Sequence, residues 1–233
     1  MKLSVVVATL NRMKWIKQCL ASIPPSCDGV SYEIIVVDGG STDGTLEYLR
    51  GLPIVLIEQG ERLGAVKAFN DGFWAAEGDY VAALNDDCVV VGPTLRLACE
   101  YLDEHERCGQ VAIPWHDIGD RDIQVQYVTI GRQQVKVAYA NFGVTRRWLG
   151  DAVGWWGNWY HYSGDCELSF NILMRGYTVD ALPGGQIDHF RVQDAIRQIC
   201  YYNGPFMQKW MTIDVSHLID HKERKSIEQP VLV

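Results

Sequence analysis

Four largely apolar runs open this chain, and the first three are each followed by a stretch with helical spacing. The runs are Leu3 to Ala8, Tyr32 to Val37, Ile54 to Ile57 and Tyr80 to Ala83. A run that stays apolar at successive positions, rather than alternating, reads as a strand buried on both faces. Between the runs, Met13 to Ser22 sets Trp15, Ile16, Cys19 and Leu20 in helical spacing, and Gly44 to Arg50 follows Ser-Thr-Asp N-cap candidates. A third helix, about Ala65 to Ala76, turns Ala65, Ala68, Phe69 and Phe73 inward. Pro24-Pro25 and Asp28-Gly29 predict a loop. Strands alternating with helices require right-handed crossovers. The expected fold class is therefore α/β, a Rossmann-like, mostly parallel sheet with helices on both faces.

Ligands of such sheets bind at the carboxyl ends of the strands. Thr9, Asp38 and the tetrad Leu84-Asn85-Asp86-Asp87 sit there. Two carboxylates and an amide set between apolar runs are costly to bury unless a cation or hydrogen-bonding group meets them. One reading is a hard divalent cation carrying a diphosphate; the other is a turn between strands, which Asn and Asp favour. Gly39-Gly40 permits close backbone approach to a ligand. Thr9-Leu10-Asn11-Arg12 has no glycine, which speaks against a G-x-G-x-x-G dinucleotide fingerprint.

Composition narrows the classes further. A chain of 233 residues, 48% apolar and 21% charged, is long enough for one sizeable domain or a domain with an appendage. The net charge of -8 leaves no electrostatic footprint for nucleic acid or an anionic membrane. No apolar segment reaches the roughly 18 residues that span a bilayer. The start of the chain lacks a signal-peptide cleavage site, so a cytoplasmic protein is expected. Seven cysteines without a C-x-x-C pair argue for free thiols rather than disulfides or a zinc site.

The second half predicts a helix over Leu95 to Glu104, a strand over Val111 to Trp115, and a hairpin of Ile123 to Ile130 with Gln134 to Tyr139. Trp148 to Tyr162 is unusually aromatic. A helix then opens near Asp165 and stops at Gly176; a strand over Tyr177 to Leu182, a turn at Pro183-Gly184-Gly185, and His189 follow.

The ordered set resembles the GT-A fold glycosyltransferases of family 2. The resemblance is carried by Val5 to Arg12, Val36 to Thr45, Gly64 with Asn70-Asp71-Gly72, Ala75 to Tyr80, and Asn85-Asp86-Asp87 where the family has its D-x-D motif. Phe142 to Arg147, Val153-Gly154-Trp155, Asp165 to Ser169 and Arg175-Gly176-Tyr177 resemble the acceptor-side half. It spans about residues 1–189, divided into a donor half, about 1–90, and an acceptor half, about 91–189. Residues 190–233 would form a C-terminal helical extension.

The resemblance implies a metal-dependent, inverting transfer of one sugar from a nucleotide-diphosphate sugar, a UDP- or dTDP-sugar, to a hydroxyl of a glycan or lipid-linked glycan. Thr9 and Asn11 would line the base and ribose pocket, Asp38 would hydrogen-bond the base, and Asn85 and Asp86 would reach the ribose and diphosphate. Arg12 and Gly40 complete the donor set. Lys67 or Arg62 would add a cation near the phosphates or lie on a solvated helix face. Asp87 would ligate Mn2+ or Mg2+, with His189 either a further ligand or a structural histidine. Asn85 departs from the usual first Asp of D-x-D; similar tetrads occur in members that resemble rhamnosyltransferases. Asp165 is the expected catalytic base, with a helix cap as its other reading and Glu167 as the alternative base. Trp155, Trp156 and Trp159 would form an acceptor wall or pack in the core. Gln208-Lys209-Trp210 is not the Q-x-x-R-W motif of processive synthases. The extension has three roles open to it: closing over the donor, packing on a second copy as a homodimer, or touching a lipid-linked acceptor. A non-catalytic nucleotide-sugar binding module is the alternative function, and Asn85 is the feature that favours it.

Overall fold

The computed structural model describes residues 2–157, 163–192 and 204–218. The first part of the chain runs β1 (Leu3–Thr9), α1 (Met13–Ser26), β2 (Tyr32–Asp38), α2 (Thr45–Arg50), β3 (Val55–Glu58), α3 (Ala65–Ala75), β4 (Tyr80–Asn85) and β5 (Cys88–Val91). The second part adds α4 (Thr94–Glu104), β6 (Cys108–Ala112), β7 (Trp115–Asp117), β8 (Asp122–Ile123), β9 (Gln126–Ile130), β10 (Val135–Tyr139) and β11 (Gly143–Arg146). It continues through α5 (Arg147–Val153), α6 (Gly164–Met174), β12 (Thr178–Ala181) and β13 (Gln186–His189), and α7 (Gly204–Thr212) follows.

Seven strands form the main sheet in the order β12-β6-β11-β4-β1-β2-β3. The neighbours β4, β1, β2 and β3 are parallel, and β11 runs antiparallel between β4 and β6. Helices cover both faces because β1 is apolar on both. Val5 and Val7 join a core with Ile16, Leu20 and Leu95, while Val6 joins another with Phe69, Phe73 and Trp155. A second sheet, β5-β13-β7-β8, lies beyond the strand ends. In it β13 pairs with β5 and β7, setting His189 beside Cys88 on one side and Asp117 on the other.

Two expectations are corrected here. Helix α1 runs to Ser26, with Pro24 and Pro25 inside it rather than in a loop. Proline removes helix hydrogen bonds, but tertiary contacts hold this last turn: Ile23, Ser26 and Cys27 are buried, and Ser26 Oγ accepts the Leu95 N–H at 2.9 Å. The strand expected over Val111 to Trp115 divides into β6 and β7, which belong to different sheets. Pro114 lies at the switch, where its missing N–H deprives no ladder of a donor. The β9–β10 hairpin forms as expected and packs with Phe170, Trp210 and Val215. Among the described residues no helix is long and apolar enough to cross a membrane.

Candidate active site

Parallel pairing of β1 with β4 sets Ala8 beside Asn85, so the loop after Thr9 and the tetrad leave the sheet together. Asn85 ends β4, and Asp86-Asp87 form the turn into β5. The tetrad is therefore both a turn and a cluster of polar groups. A cavity of about 270 Å³ opens over it, lined on this side by Thr9, Arg12, Asn85, Asp86 and Asp87.

Thr9 Oγ1 donates to Asp86 Oδ2 at 2.8 Å, and Arg12 Nη1 donates to Asp86 Oδ1 at 2.9 Å while standing 3.3 Å from Asp87 Oδ2. Burial pushes the Asp86 carboxyl up to about 6 against the pull of Arg12. Asp87 goes the other way. Burial raises it too, but His189 beside it, then Arg12 and the Val192 N–H, outweigh burial and hold it below the usual carboxylate range. Arg12 is thus a fixed cation bridging the two acids, a role that the spacing of the sequence did not reveal.

His189 is buried at the end of β13. Its Nδ1 lies 2.8 Å from Asp117 Oδ1, and its Nε2 stands 3.3 Å from Asp87 Oδ1 without a well-formed hydrogen bond. A buried ring nitrogen without such a bond, facing a carboxylate and backed by a second carboxylate, suits a divalent cation. Asp87 and His189 are the pair that fits one. No group of three or more His, Cys, Asp or Glu side chains among the described residues is placed to hold a metal unaided. A nucleotide's oxygens would have to complete the shell.

The loops at the ends of β1 and β2 are tied to each other. The Asn11 N–H donates to Ser41 Oγ at 2.8 Å, and Asn11 Oδ1 accepts the Thr42 N–H at 2.7 Å. Asn11 thus clamps these loops and is not among the residues that line the cavity. Asp38 is fully buried beside Gly39, which does line it. Its Oδ1 accepts the N–H groups of Gly40 and Ser41 at 2.9 and 2.8 Å, and its Oδ2 has no partner. Gly40, at φ +90°, crosses so close to Gly60 that a Cβ would come within 2.8 Å of the Gly60 carbonyl oxygen. Lys67 pairs with Asp71 on the exposed side of α3 and does not line the cavity, which corrects its expected place near the phosphates; Arg62 does line it. An i, i+4 partner and open solvent hold Lys67 there.

The opposite wall holds Asn141, Trp156, Ser163, Gly164 and Asp165. Asp165 lies in the first turn of α6, half-buried, and its Oδ1 accepts the Cys166 N–H at 2.8 Å. Ser163, not Asp165, is the cap position. The apolar surroundings push the Asp165 carboxyl up to about 6, against the pull of that N–H. Glu167 points elsewhere: it is buried in an ion pair with Lys209 of α7.

The aromatic residues divide. Trp155 is buried, stacks on Phe73 at 4.7 Å and donates from Nε1 to Asp151 at 2.9 Å, so the expected acceptor contact is corrected to a core one. Trp156 faces the cavity and packs on Phe69 at 4.5 Å. Asn70 of α3 fixes its backbone from both sides, accepting the Trp156 N–H at 3.1 Å and donating to its carbonyl at 3.0 Å. Trp159 lies outside the described residues. Asn70, Asp117 and Asn141 went unassigned in the sequence reading; the two asparagines are ordinary turn and surface residues until the fold is known.

A mostly parallel sheet with acids and an arginine at its strand ends, faced across one cavity by a carboxylate from the second half, is the layout of a GT-A fold group-transfer enzyme. The chain belongs to glycosyl transferase family 2, whose pattern it matches over residues 4–173. It is 34% identical over 112 residues to a PGL/p-HBAD biosynthesis glycosyltransferase of Mycobacterium bovis, a match covering 44% of this chain and 42% of that one. The chain thus spans less than half the length of that relative. Among solved structures, it resembles S. aureus TarS 1-349 in complex with UDP-GlcNAc, at a TM-score of 0.63 and 21% identity, over 87% of this chain and 62% of that one. It also resembles the mannosyltransferase PcManGT from Pyrobaculum calidifontis in complex with GDP-Man and Mn2+, at 0.64 and 20%, over 98% and 65%. These structural likenesses establish the fold.

Proposed function

We propose that the chain is an inverting glycosyltransferase that moves one sugar from a nucleotide-diphosphate sugar to a hydroxyl acceptor. The observation that carries this is a single cavity with Arg12, Asp86 and Asp87 on one wall and Asp165 on the other. Inversion by direct displacement needs a base on the face opposite the leaving group. Asp165, across the cavity from Arg12, Asp86 and Asp87, is our candidate for it, and a carboxyl raised to about 6 is ionised at neutral pH yet more basic than an ordinary aspartate.

The donor's base would settle by Asp38, whose unpartnered Oδ2 calls for an N–H such as a uracil, thymine or guanine ring carries. The diphosphate would lie against Arg12 and Arg62. Asp87 and His189 would hold Mn2+ or Mg2+, which when bound neutralises charge growing on the leaving diphosphate. PcManGT is a relative in fold whose complex holds GDP-Man and Mn2+, which supports this reading. Trp156 offers a flat face to an acceptor sugar, and the lipid-linked or glycan nature of that acceptor belongs to the same proposal. Asn85, associated by resemblance with rhamnosyl transfer, puts dTDP-sugars among the donors to try.

The test is thermal stabilisation by UDP-, dTDP- and GDP-sugars with and without manganese, followed by transfer and donor hydrolysis with the stabilising donor. Turnover that is lost in Asp165→Asn while donor binding persists supports the assignment. Donor binding with no turnover under any condition would mark the chain as a binding module, and no binding at all removes the donor site.

A further inference from the structure

We propose that Asp117 is a positioning residue that fixes the tautomer of His189 so that a bare Nε2 faces Asp87, completing the cation corner from behind; this rests on the metal reading above. Nothing near Asp117 in the sequence marks it. It sits in a short Trp-His-Asp strand, β7, and reaches the site only because β13 pairs with β7 in the register His189 to Asp117.

The geometry makes the argument. Asp117 is buried; its Oδ1 lies 2.8 Å from His189 Nδ1 and accepts the Trp115 Nε1–H at 3.2 Å. Arg191 Nη1 stands 3.5 Å from its Oδ2. An oxygen that already accepts the indole N–H, in a side chain whose other oxygen faces a guanidinium, is an acceptor toward the ring as well, so the proton of the contact is assigned to Nδ1. In the neutral ring Nε2 then carries a lone pair. It points at Asp87 Oδ1, 3.3 Å away, and the ring is held in that plane by the edge-to-face packing of Phe142 at 5.3 Å. Two acceptors facing each other in a buried site repel unless positive charge lies between them. A divalent cation held there would supply that charge. Asp117 thus decides which nitrogen is offered, as carboxylates behind metal-bound histidines do generally.

The inference is tested on the full chain by two measurements. Imidazole nitrogen NMR of the metal-free protein is expected to show Nδ1 protonated in the neutral ring of His189, and a neutral ring protonated on Nε2 overturns the inference outright. Manganese affinity, read by electron paramagnetic resonance with UDP and with GDP present, is expected to fall about 10- to 100-fold in Asp117→Ala. Because Asp117 acts through His189, Asp117→Ala should add no further loss in a His189→Ala background. Additive losses make Asp117 merely structural. Asp117→Asn retains an acceptor oxygen and should recover part of the affinity, and it replaces the alanine variant if that variant does not fold. Manganese affinity equal in wild type and Asp117→Ala overturns this inference alone, whereas wild-type protein that binds none overturns the metal reading with it.

Discussion

Thr9, Asp38 and Asn85 are the last residues of three parallel strands, whereas Trp156 and Asp165 come from a loop and the first turn of a helix. Thr9, Asn85, Trp156 and Asp165 border one cavity, but the two groups are held by different forces. Backbone pairing fixes the first: the β1–β4 and β1–β2 registers leave Thr9, Asp38 and Asn85 no freedom relative to one another. Side-chain packing fixes the second. Gly164 lies so close to the Trp156 ring that a Cβ would come within 2.5 Å of it, and Ser169 of α6 is wedged between Gln110 and the Ala140 N–H. A wall set by packing can be rebuilt by substitution without disturbing a ladder of hydrogen bonds. The comparison teaches that one wall of the cavity is anchored in backbone and the other in side chains.

The largest effect that would break this separation is in turnover. Asp165→Asn should lower kcat by about 10²–10⁴-fold, the usual contribution of a general base, while leaving donor affinity unchanged. A fall in donor affinity would mean that the walls do not act independently. The same residue makes the wild-type kcat/KM rise with pH through about 6, as the carboxylate forms.

The next effect separates neighbouring tryptophans. Trp155→Ala should cost about 3–5 kcal/mol in urea unfolding, as expected for a large side chain lost from the core, with donor binding retained. Trp156→Ala should cost less stability and instead raise the KM for acceptor. Equal stability losses would place both in the core.

A smaller effect concerns Asp165 again, now in stability. Its folded pKa lies above the unfolded value, so the folded state binds the extra proton between about 4 and 6 and gains stability as pH falls through that window. At neutral pH the buried charge is a liability. Asp165→Asn should therefore be more stable than wild type at pH 7.5, on the order of 1 kcal/mol after allowing for water in the cavity, with the advantage gone by about pH 4. A variant equally stable at both pH values would remove the buried-charge account. The smallest effect is local: amides of β1 and β4 should exchange with solvent more slowly than those of the β9–β10 hairpin, which among the described residues pairs with no other strand.

How far the sequence could be read follows the same division. Apolar runs flanked by helical spacing are local signals, and they delivered β1 to β4 and α1 to α3 within a few residues. The tetrad stood out because charged residues beside buried runs require an explanation, whereas Asp165 was singled out only through the family resemblance. Trp155 and Trp156 were not separable, since adjacent residues in an aromatic stretch carry no mark of which faces a cavity. Pro24-Pro25 misled because local propensity points to a loop, and burial of Ile23 and Cys27 overrides it. Asp117 was invisible, and the contact Asn70 makes was not readable from the motif it belongs to, for a stricter reason: their partners are His189 and Trp156, far along the chain, and only the fold creates those contacts.

The paired hydrogen bonds of Asn70 with the Trp156 backbone have a practical consequence. They join α3 to the wall that carries Asp165 across 86 positions of sequence. Chimeras that graft a different second half at Gly92-Pro93, between β5 and α4, would sever neither strand nor helix, yet would ask Asn70 to fit a foreign loop. The unit to exchange is therefore the loop together with the helix face that grips it. Libraries that vary position 70 along with the grafted segment should yield working hybrids where a clean cut does not.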